Sequence, residues 1–230
     1  MELAKPQVDI GTQVRDTQPA LDFWQKTLGV PFEYMQPISK GVRQHRHDLY
    51  GSIVKVNNSL NPVPDNPPTG YRELLIAREG VTKPETHEHE GVKVTLVPPG
   101  TLGVNKIGIR MVCRDLEAHR NFYTKALDLK EEKIEGVGAA FRAGDSIILV
   151  DQDPSAPSDA KQGGYGWRYI TFQVMKVDEE WRRAIANGAQ ETRPPQTLGT
   201  TARIVMIRDP DGNFIELSQR HNYAGSLEPS

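Results

Sequence analysis

A stretch near the start of the chain recurs, without gaps, near its middle. DIGTQVRDTQPALDFWQKTLGV (9–30) aligns with GIRMVCRDLEAHRNFYTKALDL (108–129) at a constant offset of 99 residues. Asp16 falls on Asp115, Phe23 on Phe122, Trp24 on Tyr123 and Leu28 on Leu127. Each copy reads as a strand, an Asp at a helix N-cap, then an amphipathic helix. Gly29 suits a helix C-cap in the first copy, and Asp128 replaces it in the second. A chain that repeats itself this way is built from modules.

Turns carry a second repeat. HDLYGSIVKV (47–56), EHEGVKVTLV (88–97) and RDPDGNFIEL (208–217) each join an acidic turn and a Gly to a β-rich run. GYRELLIA (70–77) resembles GWRYITFQV (166–174). Together these mark four related units, at roughly 7–58, 70–97, 104–152 and 166–219, the second without most of its helix. Pro- and Asn-rich linkers separate them. The expected fold class is α+β. The expected domains are a degenerate N-terminal pair of modules over 1–100, a C-terminal pair over 101–222, and a tail over 223–230.

Composition narrows the function classes. Of the 230 residues, 37% are hydrophobic and 25% charged, enough apolar material for a core. The net charge of −2 gives no basic excess for nucleic acid or an anionic membrane. No apolar run approaches the ~18–20 residues of a membrane span. The opening MELAKPQVDIG lacks a signal-peptide pattern, so a cytoplasmic location is expected. Cys113 is the single cysteine, which excludes an internal disulfide framework.

GIRMVCRDLEAHRNFYTKALDL and FRAGDSIILVD, followed by YITFQV, AIANGAQ and ARIVMIRDPDGNFIEL, resemble the vicinal oxygen chelate superfamily. That group includes glyoxalase I, bleomycin-resistance proteins and extradiol dioxygenases. The resemblance implies tandem βαβββ modules, paired so that curved mixed sheets enclose a cavity. It implies a small-molecule ligand and is compatible with a homodimer. The fold alone does not give the reaction.

Members of this group usually hold a divalent metal on side chains at the start of each module's first strand and near the end of its last. Carried onto this chain, those positions in the second half are Gly108, Ile148 or Leu149, Tyr169 and Glu216, of which only Glu216 is an ordinary ligand. In the first half they are Asp9, Lys55, Glu73 and Thr95. Three readings of Asp9, Lys55 and Glu73 stand open: a structural salt-bridge cluster, a metal-free acid–base centre, or a divalent metal on Asp9 and Glu73 helped by His45 or His47. Lys55 argues against the metal, since an ammonium repels a cation. No cofactor is expected.

Glu216 and Tyr169 form a candidate acid–base pair over the cavity. The competing reading has Glu216 buried against Arg168, Arg110 or Arg203. His45 and His47 alternate and so share one strand face, either solvated or facing a ligand. Trp167, Phe172 and Phe141 suit a planar ligand, although core packing is the more frequent fate of such rings. His119 reads as exposed on its helix, and Cys113 as buried packing. The preferred function is an enzyme acting on aromatic or oxo compounds with adjacent oxygens, as isomerase, lyase or ring-cleaving oxygenase. The alternative is a metal-free binding protein of the bleomycin-resistance type.

Overall fold

The computed structural model describes residues 1–229. The first module contains β1 (Asp9–Val14), α1 (Thr17–Asp22), β2 (Phe32–Ser39), β3 (Val42–Leu49) and β4 (Ser52–Ser59). The second has β5 (Tyr71–Ala77), β6 (Glu85–His89) and β7 (Val92–Val97), with no helix. The third has β8 (Ile107–Cys113), α2 (Leu116–Asn121), β9 (Lys130–Glu132), β10 (Ala139–Ala143) and β11 (Ser146–Gln152). The fourth has β12 (Gly166–Gln173), α3 (Val177–Ala186), β13 (Gln190–Leu198), β14 (Ala202–Arg208) and β15 (Phe214–Arg220), followed by a short α4 (His221–Ala224).

The repeat found in the sequence is a repeat in space. In every module the first strand runs parallel to the last: β1 with β4, β5 with β7, β8 with β11, β12 with β15. Both α1 and α2 end in one π-helical turn, Phe23–Thr27 and Phe122–Ala126. Asp115 caps α2 by accepting the Ala118 N–H at 3.0 Å, whereas Asp16 makes no such side-chain bond. Asp128 adopts the left-handed conformation of its counterpart Gly29, at φ 53° against 64°. The N-terminal ammonium reaches the Asp128 carboxylate at 2.5 Å.

Modules pair across the chain rather than within its halves. The first and fourth share an eight-stranded sheet, ordered β13-β14-β15-β12-β1-β4-β3-β2. The second and third share a seven-stranded sheet, ordered β6-β7-β5-β8-β11-β10-β9. The sheets therefore cross the expected boundary between 1–100 and 101–222. The seams are antiparallel, β1 against β12 and β5 against β8. Each module joins its partner through the free edge of its first strand. Among the described residues, no helix is long and apolar enough to cross a membrane.

One hydrophobic core lies between the sheets and their helices and includes Trp24, Phe122, Tyr123, Phe141, Phe172 and Trp167. A smaller cluster, with Leu75, Ala77, Val97, Val104, Ile147 and Leu149, covers part of the other face of the seven-stranded sheet. There Val104 lies against Gly108, so that a Cβ at 108 would meet it. The matching face of the eight-stranded sheet is polar and carries Asp9, Lys55, Thr171 and Glu216. Alternation along each strand separates these two faces.

His119 is fully buried, which corrects the expectation of an exposed helix residue. Its Nε2 lies 3.3 Å from Asp209 and 3.8 Å from Asp211, and its Nδ1 lies 3.0 Å from the Asp115 carbonyl. The DPDGN turn thus packs its two carboxylates against the helix of another module. Asp209 also accepts the backbone N–H groups of Asp211 and Asn213, at 3.0 and 2.8 Å. Burial opposes the imidazolium, but hydrogen bonds to Asp209 and Cys113 and the Asp209 charge raise His119 to about 10. The folded value exceeds the unfolded one, so this stabilisation is complete below about pH 6.5 and is lost as pH rises through about 10. His119→Gln, which leaves two buried carboxylates without their cation, is expected to cost about 3 kcal/mol at pH 6. Denaturant titrations of both proteins across this range should show the gap closing toward pH 10.

Candidate functional site

The candidate site is assembled along the β1–β12 seam. Strand pairing sets Asp9 opposite Thr171, and Thr171 opposite Glu216, in one row across three strands. Lys55, from β4, reaches over this row. Its Nζ donates to the Thr171 hydroxyl at 2.6 Å and to Glu216 at 3.1 Å. Asp9 is fully buried and accepts from Lys5 Nζ at 2.5 Å, Ile53 N–H at 2.8 Å and Gln173 Nε2 at 2.9 Å. Burial disfavours the Asp9 charge, yet Lys5 and Lys55 outweigh it and hold the carboxyl below its ordinary value. Burial lowers Lys55, against the attraction of Glu216 and Asp9.

A cavity of about 460 Å³ opens over this row, lined by Lys55, Glu216, Tyr169, Arg46, Gln44 and Asn57 among others. The Lys55 side chain is 4% exposed and that of Glu216 18%, so Glu216 is the more accessible member of the pair. The Tyr169 hydroxyl accepts from Gln44 Nε2 at 3.3 Å and from Asn57 Nδ2 at 3.2 Å, and retains its own proton to donate. Burial, then the Glu216 charge, pushes the phenol up, so that it stays protonated across the physiological range. Its ring lies against the backbone of β1, where a methyl on Gly11 would overlap it.

Several candidates named from the sequence lie elsewhere. Glu73 is on the seven-stranded sheet, where it accepts from Thr95 at 2.5 Å and pairs with Lys93 at 3.3 Å. The expected Asp9–Lys55–Glu73 cluster is therefore corrected to Asp9–Lys55–Glu216. Nested module pairing sends Glu73 to the other sheet. Glu216 pairs with Lys55 and not with Arg168, Arg110 or Arg203. Arg203 is bound to Asp178 at 2.6 Å and Arg110 to Asp151 at 2.9 Å.

His45 and His47 share a face, but it is the one turned from the cavity. His47 is buried beside Trp24 and Phe32, and burial brings it down to about 4. Trp167 packs edge-on to Trp24, Phe141 stacks on Tyr123, and Phe172 is wholly buried in the main core. None of the three rings lines the cavity. Residues not anticipated are Thr171, Gln44, Arg46 and Asn57. On β3, the alternation that sends both histidines inward turns Gln44 and Arg46 to the cavity.

Residues 103–217, half of the chain, match the Glyoxalase/Bleomycin resistance protein/Dioxygenase superfamily, and the protein belongs to it. Its architecture is similar to that of glyoxalase I from Zea mays, with 14% identity and a TM-score of 0.75 over 96% of this chain and 95% of that one. It is also similar to a provisionally assigned dioxygenase of Bacillus subtilis, with 13% identity and a TM-score of 0.64 over 100% of this chain and 92% of that one. No curated protein matches the sequence.

The divalent metal usual in this superfamily does not fit the residues of the row. Thr171 is a weak neutral donor, Asp9 is engaged with Lys5, Ile53 and Gln173, and the Lys55 ammonium stands against Glu216. On the seven-stranded sheet, Gly108 and Leu149 supply no side-chain donor beside Glu73 and Thr95. The arrangement can hold a fixed positive charge, a carboxylate and a phenolic proton within one cavity.

Gly11→Ala is expected to displace the Tyr169 ring and to cost about 1–3 kcal/mol. In a Tyr169→Ala background the same substitution should cost almost nothing, because the clashing ring is gone. Chemical denaturation of the four proteins checks both expectations.

Proposed function

We propose that the protein is a metal-independent acid–base enzyme, an isomerase or lyase, acting on a small oxo compound with adjacent oxygens. The observation that carries this reading is the Lys55–Glu216 pair, 3.1 Å apart, at the floor of a polar cavity where the superfamily's metal would otherwise be held. Glu216 takes a proton from the carbon beside a carbonyl. The electron pair moves onto the carbonyl oxygen, which accepts hydrogen bonds from Lys55 and Tyr169. Where the deprotonated carbon bears a hydroxyl, transfer of that hydroxyl's proton to the enolate oxygen and return of the carbon-bound proton to the former carbonyl carbon complete an isomerisation. Departure of a group with its bonding electrons from the carbon on the other side of the deprotonated one completes an elimination. The low local dielectric strengthens the contribution of both donors to the developing oxyanion.

The metal-free binding protein is the second reading. The amide network of Gln44, Asn57 and Tyr169 favours it, since those groups can orient a ligand without any proton transfer.

Proton exchange separates the two. The protein is incubated in D₂O with a panel of 2-oxo and 2-hydroxy carbonyl compounds, and loss of the α-proton signal is followed by NMR. An enzyme exchanges at least one of them faster than buffer does. Glu216→Gln, which keeps size and removes the base, should then slow exchange by ~10²–10⁴ with binding little changed. Equal exchange rates in both proteins would remove Glu216 as the base. Binding of a compound without exchange in either protein would establish the second reading.

A further inference from the structure

The charges around the cavity do not balance. Arg46, Lys55, Arg168, Arg193 and Arg220 line it, and Glu216 is the one carboxylate among the lining residues. Asp9 lies beneath and is occupied by Lys5. The Arg168 guanidinium donates to the carbonyls of Asn66, Pro67, Lys161 and Tyr165, with no carboxylate, and burial draws it down to about 10.

Arg46 is the informative member. It is 3% exposed on β3, yet its Nε has no hydrogen-bond partner. Its Nη1 donates to the neutral Gln44 carbonyl at 3.0 Å, and its guanidinium lies 5.4 Å from the centre of the Tyr34 ring. The Glu33 carboxylate is 3.8 Å from Nε, beyond hydrogen-bonding range, and is itself partly exposed. Arg46 also repels the Lys55 charge, so the two cations feel one another across the cavity. Arg46 therefore has one long ion pair, to an exposed carboxylate, and an unused donor, in the wall of a cavity with an excess of cations, and so has capacity left to bind an anion.

We propose that the ligand of this cavity carries an anionic oxygen group, a carboxylate or a phosphate, bound by the Arg46 guanidinium. The inference rests on the reading of this cavity as the ligand site and adds the chemical class of the ligand. Planar Arg46 can present two N–H donors to two oxygens of such a group. The anion offsets the repulsion between Arg46 and Lys55 and leaves Glu216 and Tyr169 to face the rest of the molecule. Arg193 and Arg220 supply further positive potential at the cavity wall.

The test uses the full chain and two matched pairs of probes: benzoate with benzamide, and phenyl phosphate with phenol. Affinities are read by calorimetry at low salt. The acids are expected to bind at least about tenfold more tightly than their neutral partners. The tighter acid identifies the headgroup as carboxylate or phosphate. Arg46→Gln should reduce acid affinity about tenfold or more and leave the neutral probes unchanged. If that variant does not fold, Arg46→Lys replaces it, with a loss of several-fold expected because an ammonium lacks the planar fork.

Equal binding of acid and neutral probes to the parent overturns the inference, as does undiminished acid binding in the variant. If that result accompanies Glu216-dependent proton exchange, only the class of ligand is wrong and the catalytic reading stands. Acid binding that requires Arg46, without exchange of any compound, upholds the inference and favours the binding protein. If none of the probes binds, the inference is overturned together with the assignment of this cavity as the site.

Discussion

The antiparallel seam between β1 and β12 is the contact on which the cavity depends. It sets Asp9 beside Thr171 and Gly11 beside Tyr169. The parallel neighbours on each side then bring in Lys55 and Glu216. Four strands from opposite ends of the chain thus place a cation, two carboxylates and a phenol on one sheet face. A shift of one residue at this seam would turn these side chains of β1 or β12 into the apolar core, where an unpaired charge is costly. The core packing behind the sheet and the polar row before it therefore fix the same register.

The two sheets show what the same framework does with opposite chemistry. On the seven-stranded sheet, Val104, Leu75, Ile147 and Leu149 fill part of the face corresponding to the cavity, beside the Glu73–Lys93 pair, and Gly108 leaves space for Val104. On the eight-stranded sheet, Gly11 leaves space for the ring of Tyr169, whose hydroxyl reaches the cavity's amides. A glycine on a central strand admits a neighbour in both cases, apolar in one and polar in the other. The core between the sheets and their helices is shared.

Much of the architecture was legible in the sequence. The ungapped repeat of 9–30 in 108–129 and the recurring acidic turns define the modules, since a strand period, a cap and a turn are local signals. The pairing was not legible, because any module's first strand can serve any other's and nothing local distinguishes the choices. Lys55, Glu216 and Tyr169 could be found because the resemblance to the superfamily carries its ligand positions onto them. Arg46 and Gln44 could not, because VRQHRHDL is polar on both faces and its alternation has no apolar side to orient it. The rings of Trp167, Phe172 and Phe141 belong to the core, where large apolar area is best buried.

The nesting of the modules also orders events in time. The inner pair, 70–152, is contiguous in the chain and has both sides of its seam once β8 has been made. The outer pair has β1 at one end and β12 at the other, separated by the whole inner sheet. A nascent chain that stops before residue 166 can complete the filled sheet but holds only half of the polar one. The polar face with its cavity is therefore the last part of the molecule to come into being, and its first half must wait with one edge of β1 unpaired while the rest of the chain is made.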